Sequence, residues 1–249
     1  MNSISKEKVL ENKKYYEIGF ILILIVSFVL WSMKLLIDGD SSFQWKLFCN
    51  DLNDFFADFF NVIGYSRNRD VYNDTTYMGL QEKAYPPLTY AFAYLFSRII
   101  NADSYYETYG DYLHMMYEPK LMIFVIILSV ITFTFIFELL LISKKGSYIV
   151  KLLTSISIMV SYPMLHSLER GNTIVIAVGF LLFFILNYTS DNKAIRELSY
   201  IALSISAALK IVPALFGLLL IYDKRWKDVM RTVLYGLLAF FGPFLFLKG

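Results

Sequence analysis

The chain has 249 residues, 57% of them hydrophobic and only 18% charged, with a mean hydropathy of +0.53. Soluble domains are about 45–50% apolar and about 25% charged, so this composition excludes a disordered tail, a collagen-like chain and a disulfide scaffold, and argues against a soluble enzyme. The net charge of +2 leaves no footprint for nucleic acid, and the one cysteine, Cys49, can form no internal disulfide.

The remaining class is an all-α polytopic membrane protein. At about 20 residues per crossing plus loops, this length allows six or seven spans. The first apolar run is Ile18–Ile37, preceded by Lys6, Lys8, Lys13 and Lys14. It is longer than the apolar part of a signal peptide and no small-residue cleavage site follows, so it reads as an uncleaved span with residues 1–17 cytoplasmic. Six further runs follow: Pro86–Ile100, Leu121–Ile142, Tyr148–Leu165, Thr173–Tyr188, Leu198–Tyr222 and Val229–Leu247. The whole chain, 1–249, then reads as one transmembrane domain of about seven spans.

The Lys/Arg bias sets the orientation. The N-terminus and the cluster Lys224-Arg225-Trp226-Lys227…Arg231 belong to the cytoplasmic side, with six spans between them. Residues 38–85 then form a long extracytoplasmic loop. In this count Lys144-Lys145 and Lys151 face outward, against the bias. A re-entrant Pro86–Ile100 together with a Leu198–Tyr222 segment broken at Pro213 would repair it.

The outer loop carries an unusual helix signal. Over Phe43–Ile63, the residues Phe48, Leu52, Phe55, Phe59 and Val62 recur at helical spacing, and Asp51, Asp54 and Asp58 form a second row beside them. Such an amphipathic helix is expected to lie in the membrane interface. Its polar face is acidic, whereas faces that bind lipid headgroups are usually rich in Lys and Arg. A carboxylate beside aromatic rings is partly desolvated, which suits a general base. The loop ends in Tyr85-Pro86-Pro87, with proline fit to open the next helix.

Ionisable groups inside apolar runs are costly and are functional candidates. Lys210 lies mid-run, just before Ile211-Val212-Pro213, where a broken helix can present it to an anion. Glu169-Arg170-Gly171-Asn172 lies between two runs. There Gly171 lets the backbone approach a ligand, and Arg170 offers a fork for phosphate. No Gly-rich nucleotide loop or Cys/His ligand cluster is present in the sequence. A base, cations near the membrane and a groove open to lipid together suit sugar transfer from a lipid-linked phosphate.

Several pieces, in order, resemble glycosyltransferase family 87, the polyprenyl-phosphate-mannose-dependent mannosyltransferases of the GT-C fold. They are Ala57-Asp58-Phe59-Phe60…Tyr65, Asp70-Val71-Tyr72, Tyr85-Pro86-Pro87, Glu169-Arg170-Gly171-Asn172, Ala208-Leu209-Lys210-Ile211-Val212-Pro213 and Lys224-Arg225-Trp226. The likeness runs from about Ile18 onward. It implies a GT-C-like helical bundle and an inverting transfer of a hexose, mannose by default, from a polyprenyl-phosphate donor. The acceptor hydroxyl would belong to a glycolipid, a polysaccharide or a protein. It implies a catalytic aspartate in the first outer loop, Asp58 first and Asp54 second. It implies Arg170, Lys210, Glu169, Asn172 and Tyr85 near the donor and its phosphate. Family members commonly carry Gln where Asn172 stands, and they have further spans after the seventh, so the chain is expected to correspond to the family's N-terminal portion. No cofactor is expected. Asp51, Asp54 and Asp58 could hold a divalent cation, although the family does not reliably need one. The competing readings are a transporter or flippase of an anionic lipid or solute, with Lys210 at a broken helix as its contact, and a non-catalytic membrane subunit or inactive fragment.

Overall fold

A computed structural model describes residues 3–38, 55–73, 84–110, 112–142 and 146–248. Among these residues every regular element is helical. The chain divides into two compact units, Met1–Leu52 with Leu140–His166, and Asn53–Leu139 with Ser167–Gly249.

In the first unit, α1 (Ser3–Asp38) is followed, after the long intervening segment, by α6 (Tyr148–Met159) and most of α7 (Tyr162–Glu169). The Glu17 carboxylate accepts the Ser147 backbone N–H at 2.9 Å, just ahead of α6, where that amide has no intrahelical partner. The α6–α7 pair bends by 48°.

The second unit holds α2 (Ala57–Tyr65), α3 (Pro87–Ile99), α4 (Ala102–Tyr109) and α5 (Pro119–Ile142, up to Leu139), with α8 (Ile174–Asn187), α9 (Lys193–Leu209), α10 (Leu218–Tyr222) and α11 (Trp226–Phe241). Short 3₁₀ turns lie at Tyr112–Tyr117, Val212–Gly217 and Gly242–Leu245. Of the helix expected over Phe43–Ile63, the described residues are helical only from Ala57, because Phe56 is left-handed (φ 59°); the helix that follows, α2, lies in the core. Ala57, Phe60, Val62 and Ile63 are all buried, with Tyr90, Met115 and Val125 packed in the same cluster. Residues 43–54, which include Phe48 and the aspartates Asp51 and Asp54, lie outside the described residues.

Helices α5 and α11 with its turn (Trp226–Leu245) are long and apolar enough to cross a membrane, and the bent α6–α7 pair makes a third if taken as one span. Other expected spans are shorter: α3 has 13 residues and α8 has 14, about 20 Å each against a hydrocarbon core of about 30 Å.

The expected run Leu198–Tyr222 is not one helix. Helix α9 stops at Leu209, and Lys210 is extended (φ −146°, ψ 130°), so the break precedes Pro213. The cause is local. Pro213 has no N–H to give to the Leu209 carbonyl four residues back, and its ring would clash there. That carbonyl instead accepts the Thr89 hydroxyl of α3 at 3.3 Å. Two more hydroxyls tie α9 laterally: Ser206 donates to the Ala177 carbonyl of α8 at 2.7 Å, and Ser204 to the Thr232 carbonyl of α11 at 3.1 Å. Hydrogen bonds between helices of this kind fix the seat of Lys210.

Candidate active site

Asp58 sits in the first turn of α2 and receives two segments of chain at once. Its backbone N–H donates to the Arg170 carbonyl at 3.0 Å, and the Phe56 N–H donates to the Glu169 carbonyl at 2.7 Å. Its Oδ1 accepts Arg170 Nη2 at 2.6 Å and Nε at 3.1 Å, and its Oδ2 accepts Asn172 Nδ2 at 2.8 Å. The Asn172 amide is oriented in turn, because its Oδ1 accepts the Ile174 N–H at 3.0 Å. A carboxylate has about four lone-pair sites. Among the described residues three are occupied, and one on Oδ2 is left.

Two left-handed residues make this clasp. Phe56 has φ 59° and Gly171 has φ 64°. A Cβ on Gly171 would lie 2.9 Å from Phe59 Cβ and 3.3 Å from Phe56 Cα. Glycine is required there twice over, by conformation and by space. The close approach that Gly171 permits is to the Asp58 helix. Likewise the Arg170 fork, expected to meet a phosphate, rests on the Asp58 carboxylate. Both side chains are only about a quarter exposed. Of Glu169, it is the backbone carbonyl that enters the clasp.

Tyr85 and Lys210 adjoin this pair. The Lys210 Nζ lies 4.2 Å from the centre of the Tyr85 ring, a cation–π contact. Tyr85 is held by its backbone, since its N–H donates to the Tyr90 hydroxyl and its carbonyl accepts the Tyr72 hydroxyl, each at 3.2 Å. Burial, with the Asp58 charge adding to it, pushes the Tyr85 phenol up to about 12, while a hydrogen bond from Asn172 works the other way. Tyr85 is therefore a neutral hydroxyl at any physiological pH. The structure thus brings Asp58, Arg170, Asn172, Glu169, Tyr85 and Lys210 together, from four separated stretches of chain. Asp54 and Asp51 lie outside the described residues. The Tyr72 and Tyr90 clamps were not singled out from sequence, although Tyr72 stands in the quoted Asp70-Val71-Tyr72 piece.

A cavity of about 640 Å³ opens beside Tyr85 and Lys210. Its walls come from Pro86, Pro87, Ile174, Val178, Val212, Pro213, Phe240 and Phe244 among others, and among the described residues Lys210 is the one charged residue in its lining. Several wall residues are also exposed on the surface, Ile211, Val212 and Phe216 included, so the cavity is open to its surroundings through an apolar rim. Among the described residues no group of three Asp, Glu, His or Cys side chains is placed to hold a metal ion.

The model of glycosyltransferase family 87 matches residues 84–249. The matched region contains the Tyr-Pro-Pro, Glu-Arg-Gly-Asn, Lys-Ile-Val-Pro and Lys-Arg-Trp pieces. It begins after Asp58, so it is narrower than the likeness from Ile18 onward that the motifs suggest. No curated protein and no solved structure matches the chain. A match over about two thirds of the chain, on helices fit to cross a membrane, settles the class: the chain belongs to glycosyltransferase family 87 and is a membrane glycosyltransferase.

Proposed function

We propose that the chain moves a hexosyl group, mannose by the family's habit, from a polyprenyl-phosphate donor to an extracytoplasmic acceptor hydroxyl, with inversion. The observation that carries this is the Asp58 carboxylate, fixed by Arg170 and Asn172 and within electrostatic reach of Tyr85 and Lys210, which line a largely apolar cavity. The cavity's apolar walls suit a prenyl chain, and Lys210 suits its phosphate. The acceptor O–H meets the remaining lone pair of Asp58 Oδ2. As the acceptor oxygen bonds the anomeric carbon, the proton passes to Asp58 and the C–O bond to phosphate breaks, its electron pair leaving on the phosphate. Lys210 meets that developing charge. Arg170 and Asn172 act as positioning residues, and neutral Tyr85 holds the Lys210 ammonium in place by its ring. The step needs no cofactor, because the leaving group already departs as a phosphate. The acceptor would be a glycolipid, a polysaccharide or a protein.

A multi-pass arrangement with an extracytoplasmic site is supported by the run of α9. Lys193 and Arg196 lie at its start, beside the Arg225–Arg231 region of α11, and Lys210 lies at its other end. Putting the Lys/Arg-rich end in the cytoplasm puts the site on the far side.

The test is sugar transfer in membranes expressing the chain, with radiolabelled polyprenyl-phosphate mannose and a crude lipid acceptor. Asp58→Asn should lower the rate by about 10²–10⁴-fold at equal expression. Transfer by that variant at the parent rate would remove Asp58 as the base.

A further inference from the structure

Helix α3 leaves the site at Pro87 and ends about 18 Å away, at Ile99. Along it, Phe92, Leu95 and Ile99 recur at helical spacing and are 59%, 49% and 80% exposed. This is an unpartnered apolar stripe among the described residues. It ends in a basic cluster. Arg98 lies in the last turn of α3, and Arg67 and Arg69 follow α2.

The guanidinium groups are preset. Arg98 sits 5.2 Å over the Tyr94 ring, Arg67 5.3 Å over Tyr106, and Arg69 5.6 Å over Phe246. Arg98 also donates to the Arg67 carbonyl, and the Lys248 N–H donates to the Arg69 carbonyl at 2.7 Å, drawing the segments together. Asp103 serves two of these cations, at 3.0 Å from Arg98 and 4.0 Å from Arg67. Asp70 is turned into its own loop, where its carboxylate accepts Asn73. Among the described residues, Arg67 and Arg98 thus share the one carboxylate of Asp103, and Arg69 lies two residues along from Arg67. An arginine has five N–H donors, and Arg98 uses two of them here.

We propose that this face binds an anionic membrane phospholipid, its phosphate on Arg98 and Arg67 and one acyl chain along Phe92, Leu95 and Ile99. The excess of positive charge selects an anion over a zwitterion, whose own cation would meet the arginines. The stripe selects a lipid over a soluble phosphate. Rings that already fix the guanidinium planes cut the ordering cost of capture. The site is separate from Lys210 and its cavity, and it is independent of the sugar transferred.

The experiment is native mass spectrometry of the full chain in detergent, titrated with phosphatidylglycerol or phosphatidylcholine. The parent should retain phosphatidylglycerol preferentially, and an Arg67→Gln/Arg98→Gln double variant should bind it roughly ten- to thirty-fold more weakly, at about one charge contact per arginine. Arg231→Gln, at the far end of α9, should leave binding unchanged. If the double variant unfolds at lower temperature, Ile99→Asp on the exposed stripe takes its place, with a several-fold loss expected. Equal retention of the two lipids, parent-like binding by the variant that folds, or displacement of the lipid by millimolar inorganic phosphate would each overturn the proposal.

Discussion

Helix α9, about 24 Å long over 17 residues, has an arginine–carboxylate cluster at its start and leads at its end into Lys210, which adjoins the Asp58–Arg170 pair. At its start, Arg231 pairs with Glu197 at 3.0 Å and approaches Asp228 at 3.8 Å, Arg225 pairs with Asp228 at 2.9 Å, and the Tyr235 hydroxyl donates to Glu197. Two of these pairs are one helical turn apart on α11. At its end, Asp58 and Arg170 are 112 residues apart in sequence, and an additional cation, Lys210, faces the cavity. In the first cluster Arg225 and Arg231 share Asp228 and Glu197 and tie α9 to α11, and Arg196 is turned onto the Ser190 carbonyl. In the second the Arg170 fork rests on Asp58, while Lys210 lies along an open cavity. The difference separates a structural lattice from a site: a cation held beside open space is capacity for a ligand, whereas charge paired across helices holds them together.

That contrast can be broken experimentally. The largest expected effect is at the clasp. Gly171→Ala puts a Cβ 2.9 Å from Phe59 Cβ at a positive φ and should cost about 2–4 kcal/mol, read as a lowered unfolding temperature in detergent. Gly236→Ala on α11, where nothing lies within 4 Å, should stabilise by up to about 1 kcal/mol. If both variants unfold alike, the clasp is not tight. Next is Lys210→Met, which keeps the stem and removes the charge. It should lower kcat/KM for the lipid-phosphate donor by about 10- to 100-fold with little change in stability. An unchanged kcat/KM would mean that Lys210 has no substrate partner. The smallest effect compares one swap at both ends. Arg170→Lys loses the fork on Asp58 and should reduce transfer about tenfold. Arg231→Lys, on a half-exposed pair, should leave the rate unchanged and cost at most about 1 kcal/mol. Equal effects would erase the distinction between the clusters.

Much of this was legible from residue types. The apolar runs marked helices, and charges inside or beside them marked Lys210 and Arg170, because such charges are rarely idle. Asp58 stood out through its aromatic neighbours. What periodicity could not supply was pairing. Arg170 and Gly171 look like phosphate-binding parts when read alone, and only the fold brings Phe56 and Phe59 against Gly171 and Asp58 against Arg170. Residue types alone place the break of the run Leu198–Tyr222 at Pro213 itself. The structure moves it to Lys210, because a proline disturbs the turn before it and Thr89, 120 residues away, takes up the freed carbonyl.

The clasp also has a consequence in time. Asp58 emerges during synthesis 112 residues ahead of Arg170. At about 5–20 residues per second, that delay is roughly 6–22 s. For that interval α2 has no partner for its carboxylate and no Gly171 against which to seat Phe56. The proposed base is therefore assembled late, after α2 to α7 have all been made, and a nascent chain carries an aspartate that is not yet positioned for chemistry.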